Sequence, residues 1–386
     1  MRLDCSMQNR QLSRRRFATT LGAGFAGLLT PRPAAPEPAP ARLAAPDPGP
    51  TLIGLDSNEN PYGPSARARS AMTSSQAVAA RYPDAREEAV KQALARLHGV
   101  APEQVVLGCG SGEVLKMADS AFLGSDKRVV VAEPSFEAVL DYAKVTRAEA
   151  VKLPLTADYR HDLPAMAKAC DARTGLVYVC NPNNPTGTVV TADEFDAFLK
   201  RVPKETIVLA DEAYHHFVED PRYQSAFAWL PHHENLVVVR TFSKIYGLAG
   251  MRLGYAVAAL DKAEALRGQS IWSNGNAAVL EAALVSLEDP EHVERQRGLL
   301  NGTKRWLLEE LAKDGRRYLP SQANFVMIDV GGDVAPLITG FQGRGIRVGR
   351  KFPALPNFLR ITIGTDEEMR AFLAGLRALV PPRAGA

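Results

Sequence analysis

Through the middle of the chain, apolar residues come in short blocks within 104–107, 129–131, 148–153, 175–180, 207–210, 236–239 and 253–258, with Gln104 opening the first and Glu149 and Lys152 interrupting the third. Blocks of this length, closed off by Gly, Pro, Asn or Asp, read as strands buried on both faces. The segments between them carry apolar positions three and four residues apart, which predicts helices at 65–80, 85–98, 113–122, 163–170 and 192–201, and one running to Lys144 with Phe136 at its head. Tyr82-Pro83-Asp84 separates the first two, and Gly99 closes the second at the position where helices favour glycine.

Strands alternating with helices from Gln104 to Ala258 predict an α/β fold with a mostly parallel, seven-stranded-type sheet and helices on both faces. The rest reads as a smaller α+β domain. It has helical stretches at 261–286 and 291–313, the first interrupted at 272–276, strands at 324–328, 346–348 and 359–363, and a closing helix at 366–379. The expected division is a leader and Pro/Ala-rich linker at 1–50, an N-terminal arm at 51–64, a large domain at 65–270 and a small one at 271–386. Pro61 and Pro64 around Tyr62 and Gly63 make the arm extended and leave Tyr62 free to reach outside its own domain.

Ligands of such sheets bind at the carboxyl ends of the strands, and the unusual residues cluster there. Block 236–239 leads into Thr241-Phe242-Ser243-Lys244, with Arg252 eight residues beyond the lysine. An amine nucleophile among hydroxyls, glycines and an arginine fits a lysine held beside a phosphate, and so pyridoxal phosphate. Gly108-Cys109-Gly110-Ser111-Gly112 enters a helix, where free backbone amides at Ser111 and Gly112 suit an anion. Block 207–210 ends at Asp211, whose carboxylate is costly there unless paired, and a protonated pyridine nitrogen is such a partner. Tyr214 could reach the adjacent ring hydroxyl.

Asn181-Pro182-Asn183-Asn184-Pro185-Thr186-Gly187 makes a fixed bend presenting amides, with Asn184 as its best-placed donor, and Phe136 could lie flat on an aromatic cofactor. Arg360, alternating with apolar neighbours, would point to the cleft and grip a carboxylate. Each feature taken alone also suits plain structure, as a capping Asp, a core Phe or a glycine turn. Their common position at strand ends favours the functional reading.

Composition is that of an ordinary globular protein, with no basic stripe for nucleic acid. The formal charge of +3 misleads, since residues 1–41 hold six Arg against Asp4 and Glu37, or +4, which leaves about −1 for the remainder. The leader, Ser13-Arg14-Arg15-Arg16-Phe17 followed by an uncharged segment, resembles a Tat export signal, with Ala39-Pro40-Ala41 as one cleavage point. That implies passage through the Tat translocase and a periplasmic location. Cys109, Cys170 and Cys180 lack metal-like spacing, Cys109 and Cys180 read as small packed residues, and no metal is expected at His215-His216.

Asn-Pro-Thr-Gly, Asp-Glu-Ala-Tyr and Ser-Lys with Arg eight residues on, in that order, resemble the fold type I pyridoxal phosphate enzymes. Within these they resemble the histidinol-phosphate aminotransferase branch of class I/II, from Asn58 to Thr365. The resemblance implies a Schiff base on Lys244, which also moves the substrate proton. It implies Asp211 at the pyridinium, Asn184 and Tyr214 at the phenolic oxygen, and Phe136 on the ring. Ser111, Gly112, Thr241, Ser243 and Arg252 would hold the phosphate, and Arg360 the substrate α-carboxylate.

It further implies a homodimer in which Tyr62 reaches the neighbouring site. The substrates would be an amino acid, or an amine resembling histidinol phosphate, and a 2-oxo acid. Relatives carry an Arg where an ungapped match places Gly349, so Arg350 either replaces it or the phosphate preference is gone. Decarboxylase, lyase or oxygen-dependent oxidase chemistry on the same fold, and non-catalytic cofactor binding, are the alternatives.

Overall fold

The computed structural model describes residues 52–382. The twin-arginine leader and its cleavage point lie outside the described residues. In chain order the strands are β1 (Ile53–Leu55), β2 (Val105–Gly108), β3 (Arg128–Glu133), β4 (Glu149–Pro154), β5 (Thr174–Cys180), β6 (Ile207–Asp211), β7 (Leu236–Thr241), β8 (Gly254–Ala258), β9 (Phe325–Asp329), β10 (Ile346–Val348) and β11 (Phe358–Thr362). Seven of them form one sheet in the order β2-β8-β7-β6-β5-β3-β4. It is parallel except at β8, which runs antiparallel to both neighbours. The strand after the lysine loop therefore turns straight back along β7, pairing Thr241 with Gly254.

The period-two alternation of β-strands divides the sheet residues between two cores. Val130, Val177, Val208, Val238 and Val257 face one, and Val129, Leu176, Leu209, Val239 and Ala256 face the other. Helices cover both faces, as the continuous apolar blocks require. Helix Ser111–Phe122 buries Val114, Leu115 and Met117 on one side, and helix Asp84–His98 buries Val90 and Leu94 on the other. Among the described residues no helix is long and apolar enough to cross a membrane.

Several boundaries differ from expectation for local reasons. The helix expected over 65–80 ends at Ser74 and continues as a 3-10 turn, Ser75–Val78. Thr73 and Ser75 hydroxyls bond back to the carbonyls of Arg69 and Met72 and compete with the helix there. Helix Ser111–Phe122 starts two residues early, so Ser111 and Gly112 lie in its first turn, where amides have no partner within the helix. Helix Ala138–Thr146 starts late, which leaves Phe136 in the turn ahead of it.

The stretch expected as an arm contains a strand, since β1 pairs in parallel with β10. β9 and β11 form a separate antiparallel pair that places Arg360 opposite Met327.

Candidate active site

Parallel pairing brings the ends of β5, β6 and β7 to one edge of the sheet, with Cys180 level with Asp211 and Asp211 level with Val239. Tyr178, two residues before Cys180, shares its face and donates its hydroxyl to Asp211 Oδ2 at 2.8 Å, and the Ala213 amide donates to Oδ1 at 3.1 Å. Burial still dominates and raises the Asp211 pKa above the ordinary carboxylate value, because two neutral donors do not replace the lost hydration. A cation against this carboxylate would restore its charge.

Thr241, Ser243 and Arg252 close the opposite side. Thr241 Oγ1 donates to Ser243 Oγ at 2.9 Å, and Arg252 Nη1 donates to the Ala249 carbonyl at 2.8 Å. Two glycines allow the approach. A Cβ on Gly254 would lie 2.2 Å from the Ser111 nitrogen, and one on Gly110, whose φ is +77°, would lie 2.1 Å from Arg252 Nη2. The helix N-terminus, two hydroxyls and a guanidinium thus converge on a cavity of ≈ 340 Å³, which Asp211 and Lys244 also line. A donor-rich end, an acidic end and an amine between them fit pyridoxal phosphate: the phosphate at Ser111, Gly112, Thr241, Ser243 and Arg252, and the ring nitrogen at Asp211.

Lys244 Nζ donates to the Ser57 carbonyl at 3.3 Å and lies 5.5 Å from the Tyr214 ring centre. Burial, and then the Arg360 charge, push its pKa down to about 8 against the pull of Glu59 and Asp211. A second cavity of ≈ 450 Å³ shares Lys244, Asn184, Tyr214 and Phe136 with the first and is also lined by Arg360 and Arg350. Arg360 is buried. It donates through Nη1 to Asn184 Oδ1 at 2.7 Å and through Nη2 to the Asp56 carbonyl at 2.6 Å, while its Nε has no hydrogen-bond partner.

Every candidate of the sequence reading lines one of these cavities except Tyr62. Tyr62 is half-buried against its own chain's core. Phe136 is 40 % exposed and forms a wall of both cavities, so it is not a core residue. The best-fixed amide of the bend is Asn183 rather than Asn184. Asn183 is fully buried and engages Ser135, His161, Thr186 and the Pro134 carbonyl, whereas Asn184 presents its carbonyl to Arg360.

Cys109 is exposed in the glycine loop, which corrects its reading as a packed residue; Cys180 is buried. His215 and His216 have ring centres 3.7 Å apart, and His216 meets the edge of Tyr246, so both serve packing.

Sequence reasoning missed Tyr178 and the segment 56–59. Asn58, at φ +54°, donates to the Tyr214 hydroxyl at 3.1 Å, and its backbone amide donates to Thr362 Oγ1 at 2.9 Å. The available signal was an Asn in a turn-forming run, a residue type enriched at positive φ.

The family model for class I and II aminotransferases matches residues 50–376. The chain is 38% identical over 332 residues to the histidinol-phosphate aminotransferase of Moorella thermoacetica, covering 85% of this chain and 86% of that protein. It is 40% identical over 329 residues to the one from Symbiobacterium thermophilum, covering 85% and 90%. The solved structure of histidinol-phosphate aminotransferase from Sinorhizobium meliloti in complex with pyridoxal-5'-phosphate is similar at a TM-score of 0.80 and 26% identity, over 85% of this chain and 91% of that one.

Proposed function

The chain belongs to the class I and II aminotransferase family, pyridoxal phosphate-dependent enzymes of fold type I, and from that premise we propose that it moves the α-amino group of an amino acid to a 2-oxo acid at Lys244. The observation that carries this reading is the convergence of Lys244, Asp211 and Arg360 on two cavities with a shared wall. Pyridoxal phosphate, when bound, supplies the electron sink that makes the substrate Cα–H acidic.

The chain's own residues do the rest. Ser111 and Gly112 amides, Thr241, Ser243 and Arg252 hold the phosphate end. Asp211 would hold a proton on the ring nitrogen, because a buried carboxylate with only neutral donors gains most from a cation beside it. Tyr214, oriented by Asn58, and Asn184 would hold the ring oxygen, and Phe136 would pack on the ring. Arg360 orients the substrate through its α-carboxylate, its planar fork suiting two parallel hydrogen bonds. With its pKa lowered to about 8, Lys244 Nζ keeps an unprotonated fraction near neutral pH and can take a proton from Cα and return it.

The same proposal includes a large domain over 65–270 and a small one over 271–386. The seven-stranded sheet within 105–258 and the separate β9–β11 pair support this division. It also includes a homodimer in which Tyr62 reaches the neighbouring site, and Tat export to the periplasm, which rests on Arg14-Arg15-Arg16-Phe17.

The test is the visible spectrum of purified protein with added cofactor, titrated with single amino acids. Wild type should show a band that a donor bleaches. Lys244→Ala should lack the band and lose on the order of 10⁴-fold in turnover. A wild-type band identical to that of the free cofactor and unchanged in Lys244→Ala, or one that no amino acid changes, would sink the assignment.

A further inference from the structure

The ≈ 450 Å³ cavity is electrically asymmetric. Its inner end holds Lys244 and the buried Arg360, where the α-carboxylate sits in the reading above, and Arg360 retains an unpartnered Nε. Its outer, exposed end holds Glu137, Asp141 and Arg350, and the buried Phe352 lies between Arg350 and Arg360. Glu137 precedes helix Ala138–Thr146 at its N-cap position, without a side-chain capping bond, and Asp141 lies in the first turn four residues on, so both carboxylates line the cavity from one side of the helix start.

Arg350 does not present a free positive charge to this space. Its Nη2 donates to Glu137 Oε2 at 2.5 Å, its Nη1 to the Lys351 carbonyl at 3.2 Å, and its guanidinium lies 4.3 Å from the Phe352 ring centre. An anionic side chain that docked on Arg350 would have to displace Glu137 and would then lie beside both carboxylates. A cationic one would share Glu137 with Arg350 and would also meet Asp141, with Arg350 keeping its contacts to Lys351 and Phe352. The Arg350–Glu137 and Lys144–Asp141 pairs are both about half or more exposed to water and each contributes little, so what distinguishes this part of the lining is two carboxylates against one guanidinium.

We propose that the outer end of the cavity selects amino donors with a positively charged side chain, and that Glu137 is the residue that sets this preference. The inference rests on the aminotransferase reading of the same site. It assigns Arg350 to holding Glu137 in place rather than to binding phosphate. Such a donor matches the cavity end for end, carboxylate on Arg360 and cation between Glu137 and Asp141.

The test uses cofactor-loaded full-length protein with lysine, ornithine, leucine, aspartate and O-phosphoserine as donors. It records kcat/KM and the donor concentration that bleaches half of the Lys244-dependent band. Within each protein the values are read as ratios to leucine, so a general loss of activity cancels. Wild type should favour lysine and ornithine over aspartate and O-phosphoserine.

Glu137→Gln should lower the basic-to-leucine ratio about tenfold, mainly through KM and the half-bleaching concentration, and raise the anionic-to-leucine ratio. Asp141→Asn, at a more exposed position, should move both ratios in the same direction by less. Wild-type preference for O-phosphoserine, or ratios unmoved in both variants, would overturn the inference and leave the aminotransferase reading standing. An intact band that no donor bleaches would overturn the reading and the inference together.

Discussion

The floor of the cleft and its lip both use carboxylate–guanidinium pairs, but in opposite surroundings. At the floor Glu212 and Arg240 flank Asp211 and Thr241 and are almost wholly buried. Glu212 accepts from Arg240 Nε and Nη2 at 3.0 and 2.8 Å, from Ser225 Oγ at 2.8 Å and from the Ala226 amide at 2.6 Å. At the lip, Glu137 and Arg350 keep 48% and 52% of their side chains in water and form a single ion pair with each other. The floor pair fixes the strand ends that carry the chemistry. The lip pair can be exchanged at little cost, which suits a surface that chooses among substrates.

The same substitution at the two places should separate these roles. Glu212→Gln leaves Arg240 buried with a weakened partner, and should lower unfolding stability by about 3–5 kcal/mol in denaturant titrations. A loss below about 1 kcal/mol would mean that the network is not needed for the floor. Asp211→Asn should preserve the fold and cut turnover by on the order of 10²-fold, since it removes one preorganised charge from the reacting centre. Unaltered turnover would remove Asp211 from the chemistry.

Smaller is the effect on Lys244 in the cofactor-free protein, whose reaction with a small electrophile should rise through pH of about 8 rather than 10.5. Arg360→Met removes a positive neighbour and should move that midpoint upward. Asp211→Asn removes a negative one and should move it downward. A midpoint that ignores both would show that burial alone sets it. Smallest of all, Glu137→Gln should change unfolding stability by no more than about 1 kcal/mol.

The sheet was legible because its strands, apart from the edge strand β4, are nearly continuous apolar blocks, and the floor was legible because its polar residues interrupt those blocks at one end. Asp211 and Lys244 stand out from sequence for that reason. Tyr178 does not, since inside a strand it reads as one more aromatic. Its bond to Asp211 exists only because β5 and β6 lie side by side, 33 residues apart along the chain. Segment 56–59 was read as an arm because its partners, Tyr214, Asn324 and Thr362, come from distant parts of the sequence. Arg350 was singled out from sequence as a substrate-binding candidate, but its pairing with Glu137 escaped notice because the two lie 213 residues apart and Glu137 breaks no local pattern. The wrong choice between Asn183 and Asn184 has the same origin, since a bend rich in amides does not show which one faces inward.

The pairing of β1 with β10, and of Asn58 with Thr362 across 304 residues, sets an order of events during synthesis. The sheet strands, ending at Ala258, leave the ribosome well before β11, while the core on one face of the sheet draws on residues as late as Leu376. Segment 56–59, made early, must wait for the last strand before it settles over Lys244. The wall over the lysine is therefore joined from the two ends of the described chain and closes only once both have been made.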